Sequence, residues 1–279
     1  MRLATIFLLC LTLVSGCTDL TAVSNFAKSG ADATNGADVF AGFVAARANQ
    51  VRLAFPPTDH PTPEQIQLRQ TALALQAKAP ADAAANQAGL KALSLYLTVL
   101  GALSSDTLID VKEKAGSIGT SLGTLGATSA GAAGPAGSLI QFLVSAPLDA
   151  WRNRAVGNLI QGADKDVLLL CADLSTAAQA VGAAWGTDIA FARAYYGAVP
   201  GRADDIRGSI MMMALANQEA ASFEANRQRA LALGVALDQV CRGQKALAAN
   251  VDKLDLSTVS GLLAGYQAEI QSAGKLVLK

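Results

Sequence analysis

An aspartate beside an imidazole, Asp59-His60, is the pairing closest to acid–base or metal chemistry in this 279-residue chain. His60 is the sole histidine, and a metal site ordinarily collects three or four ligands at set spacing. It sits in the proline-rich run "PPTDHPTPEQ" and reads as a solvated loop residue. No motif around any serine supplies a nucleophile for it to activate. The acid pairs Asp164/Asp166 and Asp204/Asp205 imitate the two carboxylates of a glycosidase. Each pair falls where a helix is expected to begin, and negative charge there complements the helix dipole. Met211-Met212-Met213 is a soft trio. Core filling is its first reading, and an adhesive partner surface its second. No catalytic residue, metal or cofactor is expected, and the chain reads as non-enzymatic.

The elements around these residues are helical. Hydrophobic residues make up 52% of the chain and aromatics only 5%, so alanine and leucine, both strong helix formers, dominate the apolar content. The formal net charge is +0, which gives no clustered basic surface for nucleic acid. Thr62, Pro63 and Gln65 form a helix start with a capping box. That helix is expected to stop at Pro80, with a second running from about 81 to 103. Val167, Cys171, Leu174, Ala178, Val181 and Trp185 step by four and three residues, the spacing of a coiled-coil seam. Ile189, Ala192, Tyr196 and Val199 continue it after what reads as a slip near Trp185. Val199-Pro200-Gly201 ends that helix, and the next runs towards Asn250. The expected fold is all-α: an elongated multi-helix bundle with a long antiparallel hairpin over about 163–250.

No charged residue occurs between Ala115 and Leu148. Gly116, Gly119, Gly123 and Gly126 form a stripe on one helical face of this segment. Two readings compete: a hairpin buried in the bundle, whose glycines let backbones approach closely, and a hairpin that inserts into a membrane, where small residues spaced like Gly119 and Gly123 pack helices. The buried hairpin is the preferred reading.

The N-terminus places the chain. "MRLATIFLLCLTLVSGC" has one early cation, Arg2, then an apolar run and a small-residue pair, the pattern of a secretory signal peptide. The run is short for a bilayer span, which needs about 20 apolar residues. Val14-Ser15-Gly16-Cys17 resembles the lipobox of bacterial lipoproteins. The resemblance covers these 17 residues alone. It implies cleavage before Cys17 and acyl chains on that cysteine, so that the membrane is a partner through lipid. Thr18, rather than an aspartate, follows the cysteine, which by the same resemblance favours the outer membrane. The expected division is a signal peptide over 1–16, a lipidated tether over 17–36 and a single helical domain over 37–279. The expected role is an envelope lipoprotein acting through contacts, with another envelope protein as partner. Insertion of the 115–148 hairpin is the alternative.

With Cys10 removed and Cys17 lipidated, Cys171 and Cys241 remain for a disulfide, which an oxidising periplasm would permit. If the hairpin turns near Gly201, Cys171 faces about position 231. Cys241 is then ten residues further along, about 15 Å at 1.5 Å per residue, whereas a bond needs Cα atoms within about 7 Å. The balance tips slightly against a bond, and a longer turn or shifted register would reverse it.

Overall fold

The computed structural model describes residues 20–34, 38–54, 62–105, 113–116, 118–120, 133–146, 152–198, 206–254 and 256–278. His60, Cys17, Gly123, Gly126 and the pair Asp204/Asp205 lie outside them. Among the described residues the chain is all-α. Its helices are α1 (Thr21–Thr34), α2 (Asp38–Ala54), α3 (Pro63–Ser104), α4 (Ala133–Ser145), α5 (Arg152–Ala198), α6 (Ile206–Ala249) and α7 (Ser257–Val277), with a 3-10 turn at Val251–Lys253 between the last two.

α5 and α6 form the expected long hairpin and share the most extensive helix contact in the molecule. α5 has 47 residues, which is about 70 Å at the helical rise. The predicted seam is its buried face: Val167, Cys171, Leu174 and Ala178 are fully enclosed, with Val181 and Trp185 nearly so. The slip near Trp185 does not exist. The four-three stepping runs unbroken from Trp185 to Asp188 and Ala192, both 0% exposed. A charged residue occupies a seam position, and it had disguised the continuity. α5 also begins earlier than the sequence indicates, so Asp164 and Asp166 lie well inside it and cap nothing.

Two other expectations change. Residues 21–34, expected to belong to a tether, form α1, which buries Val23, Phe26, Ala27 and Ala31. It packs against α3 and α7, because its apolar residues keep helical spacing across Gly30. Pro80 does not end a helix. α3 is continuous over 42 residues with Pro80 inside it. The proline removes one backbone hydrogen bond and disfavours the preceding turn. It sits where the helix leaves the body: 63–78 are exposed or half-buried, whereas burial starts at Ala79. A carbonyl freed there can be taken by water. The capping box forms as expected, with the Gln65 amide donating to Thr62 Oγ1 at 3.2 Å and the Thr62 amide donating to Gln65 Oε1 at 2.9 Å.

The register gives the body two distinct ends. Ser24 donates to the Gly101 carbonyl at 3.2 Å, Gly243 lies against the Phe26 ring, and Gly157 lies against Val251. Leu20, the C-terminus of α3, the N-terminus of α5 and the 3-10 turn therefore share one end. The other end carries the C-terminus of α2, the exposed N-terminal arm of α3 and the tip of the α5–α6 hairpin, where Arg52 pairs with Glu219 at 3.2 Å.

Candidate functional site

Eight residues converge on the α2–α5–α6 junction near the second end. Asp188 is fully buried in the α5 seam, and neither of its carboxylate oxygens makes a hydrogen bond within ordinary limits. Arg47, Asn49, Gln50 and Arg52 face it from α2 and favour its charged form, but burial outweighs them and pushes the carboxyl up to about 7. Gln50 donates to the Ala184 carbonyl at 3.4 Å and accepts from Arg47 Nη1 at 2.8 Å. The Arg47 guanidinium lies 4.8 Å from the centre of the Phe43 ring, and its Nε is buried without a partner. Trp185 and Phe223 close the floor, with ring centres 5.3 Å apart. The cluster holds one acid against two cations in an apolar surround. It can bind and release a proton near neutrality, and these eight residues include no serine, threonine, cysteine or lysine to serve as a nucleophile. Sequence reasoning missed Asp188 because its charge suggested a solvent-facing position. The signal was present in its place three residues after Trp185.

Beyond this junction the second end is apolar and uncovered. Ile66, Leu68, Leu73 and Leu75 on the α3 arm are 43–51% exposed, and Ile210, Met211, Met213 and Leu215 on α6 are 39–66% exposed. Core filling, the first reading of the methionine trio, fails for Met211 and Met213, because α6 at that point extends past the helices that would cover it. Met212 is half-buried.

Cys171 and Cys241 are bonded, with Cα atoms 6.0 Å apart. The expectation against a bond placed the hairpin's turn at Gly201. In the structure Cys171 lies beside Cys241, so the point of reversal falls about five residues later, at the start of α6. Ser175 reinforces the register, donating to Asp238 Oδ1 at 2.7 Å. A second buried polar network ties three helices: Tyr96 Oη donates to Gln244 Oε1 at 2.6 Å, and Gln244 Nε2 donates to the Ile160 carbonyl and Asp164 Oδ1, each at 3.2 Å. Burial raises the Tyr96 pKa, so this phenol stays a donor.

Of the glycine stripe, Gly116 and Gly119 fall among the described residues, and Gly123 and Gly126 lie outside them. A Cβ added at Gly116 or Gly119 would meet nothing within 4 Å, so these two do not serve close helix approach. Close approach occurs at other glycines: Gly30, where a Cβ would lie 2.9 Å from Leu97, Gly182, where it would lie 2.8 Å from Leu231, and Gly162 and Gly243, which face Phe142 and Phe26. In the same uncharged segment, α4 buries Ala136, Leu139, Ile140 and Leu143 against α3 and α5. Residues 154–196 of α5 are long and apolar enough to cross a membrane by composition, but half of their most apolar stretch is buried in the body. Among the described residues no group of three or more His, Cys, Asp or Glu side chains is placed to hold a metal ion.

No family model matches this chain, and neither a curated protein nor a solved structure matches it.

Proposed function

We propose that this chain is an outer-membrane lipoprotein, anchored by acyl chains on Cys17, whose helical body works through contact with another envelope protein and not through catalysis. The observation that carries the reading is the uncovered apolar end. Eight large apolar side chains stand exposed on the α3 arm and the α6 tip, at the end of the body away from Leu20. Large apolar side chains left exposed together at one end of an otherwise well-packed body fit an interaction site. Exposed methionines suit such a surface because they adapt to a partner's shape. The disulfide and the Tyr96–Gln244 network hold the helices that present it.

The burial of Leu139, Ile140 and Leu143 supports a packed role for α4 over membrane insertion. Two experiments test the proposal. Cys17→Ser is expected to leave an uncleaved or soluble precursor, and a variant that fractionates with the outer membrane like the parent would refute the anchor. A photo-crosslinking residue at Met213 is expected to capture one discrete envelope protein, with capture lost in a Met211→Glu/Leu215→Glu background. Capture unchanged by that background would refute the contact surface.

A further inference from the structure

We infer that the Leu20 end of the body rests on the phospholipid leaflet that holds the Cys17 acyl chains, so that the bundle stands upright and its apolar end points away from the membrane. The inference rests on the proposed lipidation of Cys17 and adds to it an orientation and a lipid-facing surface.

Chain length comes first. Only Thr18 and Asp19 separate Cys17 from Leu20, which is 2% exposed and locked into the body. Three residues reach at most about 11 Å even when fully extended. A lipid on Cys17 therefore cannot hold the body at a distance, because α1 is part of the core. The long axis of the hairpin, about 70 Å at the helical rise, starts at the end where Leu20 sits.

The surface at that end is suited to the contact. Leu256, Leu262 and Val144 are 46%, 49% and 43% exposed. They lie on opposite sides of the bundle: the first two at the start of α7, which packs on α6 and α1, and the third on α4, which packs on α3 and α5. No charged residue occurs in 256–268 or in 133–145. Gly261 and Gly265 on α7, and Gly134 and Gly137 on α4, have open space where a side chain would project. Arg154, Asp252 and Lys253 lie at this end, are exposed and can remain in the headgroup layer. An apolar, smooth flank on each side of the anchored end loses little by leaving water, whereas a charged collar would resist it.

The test uses the full-length acylated protein reconstituted into phosphatidylethanolamine–phosphatidylglycerol vesicles that carry a nitroxide-headgroup lipid. A bimane fluorophore is attached in turn at Val144→Cys, Leu256→Cys and Met213→Cys, with the native disulfide intact. Loss of fluorescence is expected at positions 144 and 256 and none at 213. Equal loss at all three positions, which a body lying flat would give, overturns the inference. So does loss greatest at 213, or no loss at any position. Mass spectrometry of the same preparation reads the Cys17 modification separately. An acylated Cys17 with the wrong quenching pattern overturns the orientation alone, whereas an unmodified Cys17 overturns both the orientation and the anchor.

Discussion

Asp188 shows what a single side chain can do inside a helical seam. An aspartate in water titrates near ~3.9, whereas burial moves this one to about 7. The folded state therefore holds its proton more tightly than the unfolded chain does. The group's contribution to stability is fully present below the unfolded value and is lost as pH rises towards 7. Each pH unit inside that window is worth about 1.4 kcal/mol for one proton. The thermal midpoint is thus expected to be higher near pH 5 than near pH 7.5, with the difference shrinking in Asp188→Asn. A scanning-calorimetry series in which Asp188→Asn keeps the parent's full pH response would remove Asp188 as the cause. Arg47 and Arg52 moderate the effect from α2, so the response reports on α2–α5 packing. In the sequence, a slip placed at Trp185 passes over Asp188, although the spacing of the residue continues the seam, and nothing there shows that α2 brings two arginines to it.

Helix-scale features were legible where they depend on local chemistry, and less so where they depend on register. The capping box at Thr62, the seam of α5 and the end of α6 near Asn250 follow from spacing and local hydrogen bonding. The continuity of α3 through Pro80 depends on where the body ends, which no local signal encodes. The disulfide depends on the point of reversal between two helices, and a shift of five residues there moves the facing position by ten. Glycine is similar, since spacing alone does not say which neighbour a bare Cα meets. Gly119→Ala, in open space, is expected to be neutral or stabilising by up to about 1 kcal/mol. Gly243→Ala forces a methyl group into the Phe26 ring and is expected to lower stability by about 1–3 kcal/mol through overpacking. Urea midpoints of the two variants should move apart, and a shift of Gly119→Ala as large and as unfavourable as that of Gly243→Ala would restore the packing role of the stripe. Reducing the Cys171–Cys241 bond is expected to cost about 2–4 kcal/mol, read as a lower urea midpoint under reductant.

At the scale of the whole molecule, the ends differ in kind. One is enclosed around Leu20, Leu100 and Leu159 and exposes Leu256, Leu262 and Val144 only on its flanks, whereas the other bares apolar side chains on an arm and a tip that project past the core. Stability should therefore reside in the enclosed part, while substitutions on the arm affect recognition. Leu143, 1% exposed between α3 and α5, belongs to the enclosed part. Leu143→Asp is expected to destabilise the fold by several kcal/mol, since a buried charge without a partner is costly. An unchanged thermal transition in that variant, with weakened liposome binding instead, would return α4 to the membrane. Leu73→Asp on the arm should leave the transition within about 0.5 kcal/mol of the parent, as surface changes ordinarily do. The all-α bundle was legible from composition and periodicity. Its polarity was not, because it arises from how far each helix outruns its neighbours.

The crosslink between α5 and α6 also has a mechanical meaning. Cys171 and Cys241 are 70 residues apart in sequence, and everything between them forms a closed covalent loop. Tension applied between the two chain ends passes through the sulfur bridge and bypasses the loop. When the body is stretched in an optical trap, the looped residues should stay out of the extension, about 250 Å of hidden length at full chain reach. Reductant should release that length as an added step. A protein pulled by its two ends could thus lose its folded base while the apolar tip remained slack and unloaded.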